Sequence, residues 1–492
     1  MEPIFELPIF LPSKRSGGLL RSVHVQLRDG IVDGRLQPGL KLPPSRQLAS
    51  MLGVSRNTVM AAYDLLVSEG YLVGCAGDGT YVTDIRRAPQ RPSAPQHKDR
   101  PDRRIAPFWR KYSTPSAPAG AASFRYDFRT GYPDIKRFPF DIWRRLSGRA
   151  ARALSQDSAN DEPQGRVSLR EAVAKHVSFA RAVACKSDDI VIVNGTRDAL
   201  NLIARVLVTP GETRVVVEDP VFPPLRNSFA AAGAQILPVP VDAEGLVVER
   251  LPVDARVICV SPSHQFPMGV PMSARRRAAL LDFARTFNAV VVEDDYDSEF
   301  RIEGRPLDAL QTLDRGEHVL YVGTFSKSLF PTIRIGFVAV PPWARNALVA
   351  AKSISDGYTA VHAQETLAAF IAEGHLARHV RKMRRLYAER HTVLLQALLH
   401  HCADVLQPLP ANAGVHLAAE LIVPRNGRRI AKAARSAGIC VDSLERYGSL
   451  QGAPSGLAFG YGLIEAEDIE PGIRNLARLI HKGIETSPSQ EP

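Results

Sequence analysis

Seven short runs rich in β-branched residues, VIVN, RVVVEDP, QILPVPV, ARVICVSP, AVVVEDDY, VLYVGTF and IGFVAV, recur between residues 191 and 340. Helical patterns such as TRDALNLIARVL and SARRRAALLDFARTF lie between several of them. This alternation restricts the fold more than any other feature. Strands that are apolar on both faces, each followed by an amphipathic helix, predict an α/β domain with a largely parallel sheet covered by helices. In such a sheet, ligands are bound at the C-terminal ends of the strands. The polar residues of these runs cluster at those ends.

A chain of 492 residues, 45% of them apolar, exceeds one ordinary core, and two domains are expected. Residues 83–121 are rich in Pro, Arg and Ala and lack periodicity, which predicts a semi-rigid linker. The expected division is therefore 1–82, a linker over 83–121, and 122–492. The five cysteines form no CxxC pair, which argues against a disulfide framework and a zinc site; no metal is expected. Glu6 and the prolines interrupt the first apolar stretch, which does not read as a signal peptide. With no run of about 18 apolar residues, the expectation is a cytoplasmic protein with no membrane partner.

The net charge of +11 is uneven. Residues 1–112 hold 17 basic against 10 acidic residues, +7 of the total, which suits a module that binds a polyanion. Within them, Leu20, Val23, Leu27 and Ile31 fall at helical spacing. Ser45 is placed to cap a short helix, SRQLASML, that stops at Gly53. Ser55 is placed to cap a third helix with Val59, Ala62, Tyr63 and Leu66 as its buried stripe. The sequence then predicts a hairpin turning at Gly77, Asp78 and Gly79. A helix-turn-helix of this kind sets Arg56, Asn57 and Thr58 where a recognition helix meets base edges, with Arg46 and the helix start near phosphates. The order from GRLQPGLKLPPSRQLASML through SRNTVMAAYDLLVSEGYL to GDGTYV resembles the GntR family winged helix. The resemblance implies double-stranded operator DNA as a partner, with Arg46, Ser55, Arg56, Asn57, Thr58 and Gly79 as contacts.

Three strand ends of the large domain carry complementary chemistry. Lys327, in GTFSK, offers an amine able to form a Schiff base with an aldehyde. Thr324, Ser326 and Arg334 offer hydroxyls and a guanidinium suited to a phosphate. A carboxylate of VVEDDYD would keep a pyridine nitrogen protonated. Gly195 and Thr196 open a helix whose dipole favours an anion. Their order resembles the fold-type I aminotransferases. With the winged helix ahead, the chain resembles the MocR subfamily of GntR regulators, as do PDIKRFPFDIWRRL, PQGRVSLREAVAKH and LARHVRKMRRLYAER. The implied cofactor is pyridoxal 5'-phosphate, with Lys327 as its aldimine lysine and Asp294 against its ring nitrogen. By the same resemblance Tyr296 bonds the ring hydroxyl and Phe222 stacks on the ring. Thr196, Thr324, Ser326 and Arg334 take the phosphate with Arg197 nearby, and Gln265 or His264 replaces the usual asparagine.

Two departures matter. Gly456 stands where these aminotransferases carry the arginine that grips a substrate carboxylate, and the tyrosine that usually precedes their PxG motif is absent from SANDEPQG. The expectation is a regulator that senses a small amine, such as an ω-amino acid or aminosulfonate, or the cofactor itself. An aminotransferase tethered to DNA and a cofactor-free binding module remain alternatives. The resemblance further implies a domain-swapped homodimer.

Overall fold

The computed structural model describes residues 9–11, 18–75, 77–84, 103–112, 124–155, 162–302, 308–314, 317–411, 413–450 and 454–485. The chain divides into two compact units, Met1–Asp102 and Arg103–Pro492. Much of the expected linker, 85–102 and 113–121, lies outside the described residues. Within its remainder is a short helix, Pro107–Lys111, which the absence of sequence periodicity did not announce. Its form follows from local chemistry. Pro107 is preorganised for a first helical turn, and Phe108, Trp109 and Tyr112 pack on one another with ring centroids 4.9–5.9 Å apart.

The first unit holds three helices, Leu19–Val32, Ser45–Leu52 and Arg56–Ser68, and an antiparallel hairpin, Leu72–Cys75 with Gly79–Val82. Val23, Leu27 and Ile31 are buried against Val59, Ala62, Tyr63 and Leu66. Burying each large apolar side chain contributes about 1.5–3 kcal/mol, so this small core rests on few residues. Two expectations change. Leu20 is exposed, and the face it was assigned to is completed by buried His24, whose Nε2 lies 2.8 Å from Glu69. Ser45 does not cap its helix: Pro44 holds the cap position, and no side chain bonds there.

In the second unit all seven runs are strands of one eight-stranded sheet. Its order is Ile190–Val193, Gly336–Ala339, Val319–Thr324, Val290–Asp295, Val257–Val260, Arg214–Asp219, Gln235–Asp242 and Gly245–Leu246. Six run in one direction; Gly336–Ala339 runs antiparallel to both neighbours, and Gly245–Leu246 antiparallel to Gln235–Asp242. Apolar residues on the two faces feed separate cores. A four-stranded sheet orders Leu406–Pro408, His416–Leu421, Gly456–Gly460 and Asp442–Ser443. The 27-residue helix His375–His401 packs on the helix Ala466–Glu485. Fully buried Arg390 on the longer helix donates to Asp134 at 2.9 Å and Glu465 at 2.6 Å. With Gly460 N donating to Phe128 O at 2.8 Å, it fixes residues 128–134 against this sheet. No helix among the described residues is long and apolar enough to cross a membrane.

Candidate cofactor site and DNA-contacting helix

The residues expected to meet DNA bases lie together at one helix start. Ser55 is the N-cap, and its hydroxyl accepts from Thr58 N at 3.1 Å, closing the first turn. The Thr58 hydroxyl lies 2.8 Å from the same oxygen, so both hydroxyls serve the cap. Arg56 and Asn57 are exposed beside them, and Arg46 is exposed on the preceding helix. The Arg56 Nε lies 3.4 Å from Ser45 Oγ. At the hairpin tip Lys41 Nζ donates to Asp78 at 2.9 Å, and a Cβ added at Gly79 would fall 2.8 Å from Lys41 Cε. Gly79 thus admits the lysine that ties down the tip.

The cofactor candidates converge through strand register. Thr324 pairs with Gly336, and Gly336 with Val193, so the loops following Val193 and Thr324 emerge side by side. Gly195 caps the helix Thr196–Leu207 with φ 82°, and a Cβ there would lie 3.2 Å from Arg334 Nη1. Arg334 itself adopts a left-handed φ of 53°. The Thr324 and Ser326 hydroxyls are 3.1 Å apart, and Ser326 N donates to Thr324 Oγ1 at 3.2 Å. A helix start, two hydroxyls and a guanidinium therefore lie close together, groups of the kind that bind a phosphate.

Strand alternation sorts the three carboxylates of EDDYD. Glu293 accepts from Leu310 N and Gln311 N, both at 2.9 Å. Asp295 turns the same way, accepting from Arg181 at 2.8 Å and the Tyr321 hydroxyl at 2.6 Å. Asp294 faces the other side, and its Oδ1 is buried with no hydrogen-bond partner among the described residues. Burial and the neighbouring Asp295 push its carboxyl up to about 7, against the opposing field of Lys327. A buried, unpartnered carboxylate oxygen costs free energy unless a donor arrives. A protonated pyridine nitrogen is such a donor, and the residues present fit the group on this account.

Lys327 is half-buried and donates to the Gly131 carbonyl. Burial lowers its pKa, against Asp297 and Asp294, so its amine is more readily neutral and nucleophilic. Nothing in the sequence announced Gly131; it arrives through the pinned 128–134 segment. Arg197 is exposed on the helix Thr196–Leu207, and its charge acts on Lys327 in the same direction as burial.

Phe222 precedes the helix Pro223–Ala231, with its ring edge-on to Phe266 at 5.8 Å. On the same helix, Asn227 donates to the Tyr112 hydroxyl at 3.2 Å. Gln265 is spent elsewhere: its amide nitrogen donates to Pro220 O at 2.7 Å and Phe266 O at 2.8 Å, and its oxygen accepts from Met268 N at 3.1 Å. The amide that the resemblance set near a cofactor oxygen is thus engaged by the tight SHQFPMG loop. His264 remains, 3.1 Å from the Tyr296 hydroxyl.

Sequence reasoning also missed the surroundings of that histidine. One donor atom each from His264, Asp297 and His416 lies within 4.8 Å of the others. Nδ1 of His264 is engaged with Asp297 and Nε2 of His416 with Pro267 O at 3.0 Å, while Nε2 of His264 is buried with no hydrogen-bond partner among the described residues. Glu218 is a further buried acid, raised to about 8 by burial, with the charge of Asp294 acting on it in the same direction. At Gly456 the backbone is closely walled: a Cβ would fall 2.2 Å from Ala419 O and 2.8 Å from Leu444 Cδ1. The missing arginine is therefore excluded by packing.

Comparison with known proteins agrees with both units. Residues 19–82 match the bacterial regulatory proteins of the gntR family, and residues 145–426 match aminotransferase class I and II. The probable rhizopine catabolism regulatory protein MocR of Rhizobium meliloti is 37% identical over 465 residues, covering 93% of this chain and 92% of that protein. The pyridoxine biosynthesis transcriptional regulator PdxR of Corynebacterium glutamicum is 31% identical, covering 93% and 95%. Among solved structures, kynurenine aminotransferase of Pyrococcus horikoshii, in complex with PMP, aligns with TM-score 0.69 and 26% identity over 75% of this chain and 93% of that one. The large domain has the fold-type I aminotransferase architecture, and pyridoxal phosphate is the cofactor these matches imply. An N-terminal DNA-binding module joined to such a domain, matched along nearly the whole length of relatives named as regulators, places the chain in the MocR subfamily of GntR transcription regulators.

Proposed function

We propose that this regulator holds pyridoxal phosphate on Lys327 as a sensor and responds to a small amine, an ω-amino acid or aminosulfonate, or to the vitamer itself. The observation that carries the reading is the packing at Gly456, which removes the carboxylate-gripping arginine while leaving Lys327 and Asp294 in place. Bound there, the cofactor supplies an aldehyde that reacts with amines and a ring that withdraws electrons. The protein's part is to position. Asp294 would hold a proton at the ring nitrogen, Gly195, Thr196, Thr324, Ser326 and Arg334 would retain the phosphate, Phe222 would cover a ring face, and Tyr296 would meet the ring oxygen. Gly131 O would orient the Lys327 amine that holds the cofactor.

An effector shifts DNA binding only if it binds one arrangement of the protein better than another. Two winged helices in a domain-swapped cytoplasmic homodimer would read repeated half-sites. Screening amines for a change in the visible band of the purified protein, with footprinting on DNA flanking its own gene, tests the reading. A matching change in band and footprint is expected. A wild-type protein that stays colourless with pyridoxal phosphate refutes it, and sustained product formation with a keto acid would identify an aminotransferase instead.

A further inference from the structure

His264 and Asp297 lie behind Tyr296 in a fully enclosed pair. The Asp297 side chain accepts from His264 Nδ1 at 2.9 Å through Oδ1 and at 3.2 Å through Oδ2, and Oδ2 also accepts from Val415 N at 3.1 Å. Both side chains are almost completely buried. Gly414 permits this, because at φ 85° a Cβ would fall 2.1 Å from His264 Cε1 and 2.5 Å from Asp297 Oδ2. The His416 ring lies against that of His264 with centroids 4.6 Å apart.

These contacts settle hydrogen directions. A carboxylate accepts only, so the hydrogen on His264 stands at Nδ1 and points to Asp297. The Tyr296 oxygen, 3.1 Å from that same nitrogen, then meets an N–H and has no lone pair there to which it can donate. Its own hydrogen is free to turn elsewhere. We propose that His264 and Asp297 form a positioning dyad that aims the Tyr296 hydroxyl hydrogen into the cofactor site, making Tyr296 a donor to the ring oxygen of bound pyridoxal phosphate. This rests on the sensor reading above and adds to it how the ring oxygen is held.

The readout is the pH midpoint of the bound cofactor's visible band. A donor to the ring oxygen favours the form in which that oxygen carries full negative charge, and so lowers the midpoint. Replacing Tyr296→Phe removes the donor and is expected to raise the midpoint by about one pH unit, the shift of one hydrogen bond to a charged group. In Asp297→Asn, the Val415 N–H takes the new amide oxygen, and the amide nitrogen donates to His264 Nδ1. The hydrogen of His264 moves to Nε2, the single Nδ1 lone pair is then shared by the amide and the Tyr296 hydroxyl, and the midpoint rises part of the way toward that of Tyr296→Phe. The double variant should rise no further.

His264→Asn, whose amide N–H stands near the Nδ1 position, should keep the wild-type midpoint, while His264→Leu should not. This pair tests the dyad even if Asp297→Asn fails to fold. Asp294, Asp295 and Glu218 act on Tyr296, and His416 and Lys327 lie on the site side. These remain in every variant; Asp297 also acts on Tyr296 and Lys327, and loss of its negative charge alone would lower the midpoint, so a rise in Asp297→Asn runs against that loss and reports the dyad. An unmoved midpoint in both Asp297→Asn and His264→Leu, with Tyr296→Phe shifted, overturns the proposal. An unmoved midpoint in Tyr296→Phe itself also overturns it, and a wild type without a band refutes the sensor reading.

Discussion

Replacing Asp294→Asn tests the buried carboxylate directly, because its effect on the cofactor-free protein must depend on pH. Its folded-state value is raised from 3.8 to about 7, so the folded chain binds this proton more tightly than the unfolded chain does. Stability from this group is fully present below the unfolded value and is lost as pH rises through the folded one. Each unit of difference is worth about 1.36 kcal/mol, so ionised Asp294 costs the empty fold about 4 kcal/mol above pH 7. Asparagine carries no such cost. Its stabilising advantage should grow by about 2 kcal/mol between roughly pH 5.5 and pH 8.5, the portion of the titration in that window. Urea unfolding of both cofactor-free proteins at the two pH values measures the difference. Pyridoxal phosphate should reverse the ranking, since the variant cannot keep the ring nitrogen protonated. A stability difference that does not change with pH would refute the account of Asp294 as a strained acid awaiting a partner.

Arg56→Ala should weaken operator binding by about 1–3 kcal/mol in a salt-controlled titration while leaving the cofactor band unchanged. Ser55→Ala should instead destabilise the first unit by about 1 kcal/mol through loss of the cap seen at Thr58, read as a lowered melting temperature. Arg334→Ala should weaken cofactor binding by about 1.5–3 kcal/mol, the worth of a hydrogen bond to a charged group, measured by equilibrium absorbance titration. Gly456→Arg should lower the melting temperature without creating a response to α-amino acids, because its Cβ meets Ala419 O at 2.2 Å.

Much was legible in residue order alone. Short β-branched runs and period-3.6 patterns named the seven strands expected of the large domain and the third helix of the first unit, because strand runs buried on both faces and helical stripes are local consequences of backbone geometry. The stripe of Val59, Ala62, Tyr63 and Leu66 is buried as the pattern requires, whereas Leu20 misled because helical spacing does not say where an apolar face ends. GTFSK, EDDYD and GTRDAL stood at strand ends, where a parallel sheet gathers its ligands. The short helix Pro107–Lys111 carried too few residues for any period to be read.

The amino-acid order determined which side chains of each segment share a face and which segments repeat as strand and helix, since both depend on neighbours a few residues away. Only the tertiary structure decided which of three adjacent carboxylates stays unpaired, because Glu293 and Asp295 find partners more than a dozen residues distant. It likewise brought Gly131 to Lys327, 196 residues away, and set His264 against Asp297 beside Gly414. Hydrogen bonds and desolvation act through space, and the chain's own spacing does not record them.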